Sequence, residues 1–555
     1  MLRLTILGIV IIMTLPAISQ LPLETLIHFD KSFYVSGEVI WYKLYLPITW
    51  NEHEVAVQTT VLDQEGKVRD RFFIRTNGKN FISGYYKTPF DADSGIYEIQ
   101  FSASEGPNNP EQLLAYYQIP IYNDLDKLSN PSLTQEGVDK PKELIDANDL
   151  SISIQPSIMP VKCRSELSVA VKVSDAAGKP SAGHASVSVK DAGLAGSAYG
   201  NMEIMNLPIS YTIDPDNLQP QLYVRGNLTT AEGEPLQINV LGGYVGADEK
   251  IYYSKSNPEG AYLMNLPDFT GTKNIQYLGF QYECLDLRSE VEIPELKGEK
   301  TEFRYTPKLL EYLELSKMRK KIYQYFESFE SAITTEEIIV EVNALKPDAN
   351  YSVKEYESFK DLKSFFGELM TPLKFKLEKD STYTASLYNP NGRIAKNTEL
   401  NGPPLFIIDG KVTRDADWVA RLPISAVETV DLFLDAPVLR SYYQAIGVSG
   451  IAKISTTLSN LKLPAADAGN IHKIVGLQAN ADFPALNSAS FLAQPNQPFF
   501  RPQIFWKPDV MIDHGGRGDF RFFHSDDTGD FEIKVVFQAV DGRRAVTTYK
   551  YQVAF

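Results

Sequence analysis

The sequence predicts a mainly β, multidomain protein: serial β-sandwiches with one small α+β domain among them. Three observations predict it. Short apolar runs, many of them alternating, are cut by Gly, Pro, Asn and Asp turn signals through most of the chain. The 30 Tyr, 29 Phe and 33 Pro favour sheets joined by punctuated turns. One stretch, Pro403 to Thr456, breaks that rhythm by setting a helical connection between apolar strands. At 555 residues the chain is too long for a single core, so several domains are expected.

Composition bounds the partners. Hydrophobic content of 43% with 22% charged residues is globular. A net charge of −16 argues against nucleic acid, because phosphate binding needs clustered Lys and Arg. Residues 1–19 carry Arg3, an apolar run from Leu4 to Leu15, and the small residues Ala17 and Ser19. That order predicts a secretory signal cleaved after Ser19, with the mature protein in the periplasm or at the periplasmic face of the outer membrane. No Cys flanks the cleavage position, so a covalent lipid anchor is not expected. The two cysteines, Cys163 and Cys284, are either buried thiols or a disulfide that export would permit.

The first module, residues 21–123, opens with strands Leu26 to Phe29 and Val39 to Leu46, the second placing Ile40, Tyr42, Leu44 and Leu46 on one face. Strands at Ala56 to Leu62, Val68 to Ile74 and Gly95 to Ser102 continue a sandwich. His28, Asp30, Lys31, Tyr34, Gly37, Glu38, Ile40, Trp41 and Lys43 form a pattern that resembles the macroglobulin-type domain of bacterial envelope proteins. A lone His28 is expected to be a hydrogen-bonded sandwich residue. Residues 124–149 are polar and aperiodic, hence a linker. A second macroglobulin-type, Ig-like sandwich is expected over 150–218, from the alternation of Ser165 to Asp175 and Ala185 to Asp191. Neither cysteine lies in the Cys-Gly-Glu-Gln stretch on which macroglobulin protease trapping depends.

Residues 219–298 resemble a carboxypeptidase-regulatory-like sandwich through Gly226, Gly233, Pro235, Leu236, Val240, Gly260 and Tyr262. Residues 299–335 are expected to be a helical connector, helical from Lys308 to Phe326, whose basic run Lys317 to Lys321 forms a solvated face or touches an acidic partner. Over 336–458 a helix is expected at Ser358 to Glu368 and strands at Leu373 to Leu377 and Tyr383 to Leu387. Strands at Leu405 to Ile408, Val427 to Leu434 and Ile451 to Ser455 follow. Ile407-Ile408-Asp409-Gly410, Val427 to Leu432 and Gly450 to Ser455 resemble, in order, the plug domain of TonB-dependent outer-membrane receptors. A receptor's plug precedes a barrel of many strands, and only about a hundred residues follow Thr456. The resemblance therefore implies a plug-like unit without its own barrel. Residues 459–498 are expected to be a loop, and 499–555 a further C-terminal sandwich segment with turns at Asp526 to Gly529 and Asp541-Gly542.

Candidate chemistry is sparse. No Gly-rich phosphate loop, HExxH or CxxC array occurs. Ser449, within GVSG, does not sit in a GxSxG elbow. Asp513, His514, Asp519, His524, Asp526, Asp527 and Asp530 make the most metal-like cluster, with Asp526, Asp527 and Asp530 as weak calcium candidates. The simpler reading gives them a hairpin turn. Asp409, Gly410 and Gly450 are expected to set turns in the plug-like unit, and no catalytic residue or cofactor is expected. The function expected is that of a non-catalytic binding or gating protein. Its plug-like domain would contact an outer-membrane β-barrel or a secretion translocon. The alternatives are an exported carbohydrate-binding protein or enzyme with a site in the sandwich loops, and a structural spacer.

Overall fold

The computed structural model describes residues 24–126, 149–193, 204–208, 213–230, 233–279, 301–326, 335, 336, 338, 345–356, 359–369, 371–390, 398–400, 402–444, 447–458, 462–464 and 471–555. Its architecture is mainly β and multidomain, built from two-sheet sandwiches and one α+β unit.

In the first sandwich the sheet of Glu24–Phe29, Val39–Tyr45 and Phe81–Lys87 faces a sheet of Tyr34–Val35, Gln112–Tyr122, Gly95–Ala103, Ala56–Leu62 and Val68–Arg75. Ile40, Tyr42, Leu44 and Leu46 point into the core between them, as their alternation requires. The opposite face of the same strand is buried as well. Val39 and Trp41 pack on Trp506, and Tyr45 packs on Val536, both from the C-terminal region. Alternation thus marks the intradomain face, while its complement forms a domain interface.

The expected second and C-terminal sandwiches are one domain. Gly183–Asp191 pairs on one side with Gly529–Ala539 and on the other with Gln503–Ile512. Arg544–Ala554 and Val161–Lys162 complete that sheet, and Leu150–Pro156, Glu166–Asp175 and Arg517–Phe523 form the facing one. The core mixes both segments: Leu167, Val171 and Val187 lie with Phe520, Ile533 and Phe537. Neither segment alone has a second sheet to cover its apolar face, which is why each needs the other. Two details of the 150–218 and 499–555 assignments change accordingly. Ile204–Pro208 pairs with Glu24–Phe29 and so joins the first sandwich. The Asp526 to Gly529 segment is no hairpin; it crosses from one sheet to the other, whereas Asp541-Gly542 does turn a hairpin.

The insertion is nested. A third sandwich sets Leu222–Asn227 and Ala261–Leu266 against Lys250–Ser254, Leu241–Val245, Thr272–Gly279 and Ile471–Val475. Its last strand comes from the region expected to be a loop. Five residues pair with Thr272–Gly279 through backbone hydrogen bonds, which short polar-apolar text does not advertise. Gly476 and Gln478 then bond Phe73, tying the third sandwich to the first at 2.9 and 2.8 Å. The α+β unit lies inside that sandwich. Its sheet runs Ala349–Ser352, Val427–Phe433, Ile451–Thr456, Leu405–Ile408, Lys411–Thr413, with only the Leu405–Ile408 and Ile451–Thr456 pair parallel.

The helix Pro307–Tyr325 starts at an N-cap, Thr306, whose side chain accepts from the Leu309 amide, with Pro307 in the first turn. Its path towards the α+β unit lies outside the described residues. Leu309 and Leu313 pack on Phe33, Val35 and Tyr122 of the first sandwich. The basic run is only partly solvated, since Lys320 bonds the Ser36 carbonyl at 2.7 Å and pairs with buried Asp124 at 2.8 Å.

One cooperative core predicts one shared unfolding transition. Leu167→Ala, from the N-terminal segment, and Phe537→Ala, from the C-terminal segment, should each destabilise it by about 2–5 kcal/mol. Denaturant titration checks this; mutants that shift two different transitions would contradict it.

Candidate functional site

Asp409 and Gly410 form the two-residue turn between Leu405–Ile408 and Lys411–Thr413, with φ of 47° and 76°. Consecutive left-handed residues are what a type I′ hairpin needs, and Asp-Gly supplies them. The Asp409 carboxylate also accepts from the Thr456 amide at 2.9 Å, so it locks the parallel neighbour. Gly450, at φ 88°, abuts Leu387, whose Cδ1 would stand 2.6 Å from an added Cβ. The three expected turn residues therefore shape one sheet.

That sheet is covered on both faces. Phe406, Ile408, Val430, Leu432 and Ile454 pack against the helix Leu362–Glu368 and its neighbours. Leu405, Ile407, Phe433 and Ile451 pack against Tyr244, Ile251 and Leu278 of the third sandwich. Polar clamps reinforce this second face. The Gln276 side chain donates to the Val412 carbonyl at 2.6 Å and accepts from the Val412 amide at 2.7 Å, acting as a substitute strand. Lys453 pairs with Glu249 at 2.5 Å, and Gly246 lies so close that a Cβ there would meet the Gly410 carbonyl at 2.3 Å.

The metal-like cluster is used for structure. Asp526 takes a two-point contact from Arg164, at 2.5 and 2.8 Å, and accepts from the Phe499 amide. Burial works against it, yet Arg164 holds its carboxyl below the usual range. Asp527 accepts from the Arg501 amide at 2.6 Å and from Ser525, while Asp530 is exposed. Among the described residues no group of His, Cys, Asp and Glu could hold a metal ion. Cys163 is a free thiol above the Asp526 and Asp527 carbonyls, pushed up by burial, and Cys284 lies outside the described residues. His28 is fully buried between the first two sandwiches and hydrogen-bonds Ser186 at 2.7 Å.

Where the first sandwich, the helix Pro307–Tyr325 and the start of Gln503–Ile512 meet, a cavity of about 110 Å³ opens to the surface. The resemblance-bearing motif builds one wall. Asp30 accepts from the Tyr34 hydroxyl at 2.5 Å and the Trp41 amide at 3.0 Å, and Lys31 pairs with Glu38 at 2.7 Å. Burial raises Asp30 to about 6, with Lys31 opposing the shift. Helix residues Arg319, Lys320 and Tyr323 form a second wall, and Phe483, Pro484, Arg501 and Gln503 a third. Sequence reasoning missed this site because its walls come from separate stretches of chain. One signal was available: Arg501 interrupts the apolar run Phe499-Phe500-Arg501-Pro502, a context in which a charge tends to be buried.

The fold defines the class: a multidomain protein of nested β-sandwiches carrying an inserted α+β unit. No family model matches the chain, and no curated protein matches it. Among solved structures it is similar to Salmonella alpha-2-macroglobulin reacted with methylamine, at 8% identity and a TM-score of 0.24, over 96% of this chain and 39% of that one. It is similar to E. coli alpha-2-macroglobulin in its native conformation at 9% identity and a TM-score of 0.24, over 96% and 40%. The chain thus spans about two fifths of those proteins' length, and likeness at this score carries no argument about function.

Two predictions follow from these contacts. Gln276→Ala strands both polar groups of Val412, so it should loosen the α+β unit by about 1–3 kcal/mol, read by calorimetry as a lower-melting component. His524 is fully buried, hydrogen-bonds Tyr551 at 2.6 Å, and is lowered by burial from 6.5 to about 4. Between those values the unfolded chain binds a proton that the folded one refuses, so stability falls as pH drops from 6.5 towards 4. Asp30 contributes the opposite slope between about 4 and 6, its folded form retaining the proton. His524→Gln should therefore flatten only the first contribution, measured as the difference from wild type in urea titrations across that range.

Proposed function

We propose that the chain is a non-catalytic envelope protein that presents a plug-like unit to an outer-membrane β-barrel, of either a nutrient receptor or a secretion pore. The observation that carries this reading is the one-sided clamp on the α+β unit. Its sheet is fixed to the third sandwich by Gln276, Glu249 and the apolar layer around Tyr244. The far layer, with the helix Leu362–Glu368 and the strand Leu373–Leu377, keeps Tyr356, Leu369 and Leu377 exposed. A clamped unit suits presentation to a partner better than threading into a pore, since release would uncover the apolar face around Leu405 and Ile407. Export in this reading rests on the signal-like residues 1–19.

A photo-crosslinking residue at Tyr356 or Leu377 in intact cells tests the proposal. It should yield an adduct with an outer-membrane barrel, and the same residue at exposed Val540 of the second sandwich should not. Adducts equal at both places, or a chain that leaves the envelope as a lone monomer after mild detergent extraction, would sink it.

A further inference from the structure

We infer that the cavity beside Arg501 is a receptor for the C-terminal residue of a partner polypeptide. This is independent of the α+β unit and stands whether or not that unit meets a barrel.

The argument begins with charge. Four cations line the cavity: Lys31, Arg319, Lys320 and Arg501. Lys31 is neutralised by Glu38 and Lys320 by Asp124, at 2.7 and 2.8 Å. Arg319 lies over the Tyr312 ring at 4.8 Å and near Glu38 and Asp527; burial still raises Asp527, with Arg319 among the groups opposing the shift. Arg501 differs. Its side chain is 9% exposed and donates one Nη1 hydrogen bond to the Pro484 carbonyl. Its Nε–H has no acceptor, and the neighbouring carboxylate, Asp527, accepts from the Arg501 backbone amide at 2.6 Å and from Ser525. A buried, uncompensated charge is costly, and an anion in the cavity would relieve it.

A second group points the same way. Gln503, 4% exposed and two residues along the same strand approach, donates to the Phe505 carbonyl while its Oε1 accepts nothing. An uncommitted donor on a cation beside an uncommitted amide acceptor matches a carboxylate followed by a peptide N–H. The last residue of a polypeptide carries that sequence of groups. The apolar part of the lining is Val39, Trp41 and Phe483, with Phe90, 52% exposed, at the rim; Asp30 and Glu38 also line the cavity, Asp30 accepting from Tyr34 and Trp41 and Glu38 paired with Lys31. Phe90 holds its place because Gly37, at φ 86°, has no Cβ; one would stand 2.5 Å from the ring.

Size sets the limit. An apolar cavity of roughly 150 Å³ takes a benzene. A space of about 110 Å³ open at one end admits one small apolar or partly inserted aromatic side chain, with the remaining chain outside. A single uncompensated charge suits a carboxylate better than a phosphate dianion.

Calorimetric titration of the purified full chain with N-acetyl-glycyl-phenylalanine tests the inference. The free acid should bind, and its C-terminal amide should bind at least about tenfold more weakly. Arg501→Gln should abolish the preference for the acid, with thermal melting confirming that the variant is folded. The acid and amide arms read the same point on the native chain, so a misfolded variant does not decide the matter. Equal binding of acid and amide, or no binding of the acid at millimolar concentration, would overturn the site. Equal binding of 3-phenylpropionate would overturn its assignment to a peptide, because that acid lacks the N–H offered to Gln503.

Discussion

Everything in this molecule hangs on one strand, Gly183–Asp191, whose two hydrogen-bonded neighbours both come from the end of the chain. Residues 192–502 lie between it and the nearer of them. Closing so long a loop is less severe than it looks, because closure entropy grows only by about 0.6 kcal/mol per doubling of length. The nesting reduces it further. With the α+β unit closed first, the third sandwich gains Ile471–Val475 at short effective range, and Gly476 then brings the chain back to Phe73 of the first sandwich. Each inner closure shortens the loop that the next outer one must make.

The first two sandwiches are in turn fused through the reverse face of Val39–Tyr45. Tyr45 donates to the Val536 carbonyl at 2.8 Å, His28 and Tyr45 both reach Ser186, and Gln538 reaches the Leu46 carbonyl. Val536 and Gln538 belong to the last segment and Ser186 to the second, so this interface reads the completed sandwich and not either half. The nine-residue motif from His28 to Lys43 accordingly serves two ends. Ile40 and Tyr42 fill a core, while His28, Trp41 and Lys43 meet another domain.

Local structure was legible where a strand's own side chains decide it. Leu373–Leu377 and Leu405–Ile408 fall where alternation and the Asp409-Gly410 turn put them, because burial on one face and a left-handed turn are local demands. Pairing was not legible. Phe531 to Val540 and Ala185 to Asp191 each announce a strand, but alternation says which face is apolar and not which strand lies alongside. Hence two sandwiches were expected where one exists, and a loop where Ile471–Val475 closes a sheet. The cavity was hidden for the same reason. Asp30 and Glu38 stand out in the sequence, yet Arg501 and Gln503 join them only through the long-range pairing that the sequence leaves open.

Two buried cations, Lys43 and Arg501, show what this interior does with charge. Lys43 is fully buried, over the Phe81 ring at 3.8 Å, with Asp509 the nearest carboxylate at 3.6 Å. Burial lowers it to about 7, and Asp509 only partly offsets the loss, so near neutrality the amine can release its proton and relieve the penalty itself. A guanidinium has no such escape, because it stays protonated at any pH a folded protein experiences. The Arg501 guanidinium bonds the Pro484 carbonyl and leaves its Nε–H without an acceptor, the nearby carboxylates Asp30, Glu38 and Asp527 being engaged by other groups. A lysine there could fall silent. An arginine there offers a planar fork of donors, which recognition of an anion needs and a single contact to the Pro484 carbonyl does not.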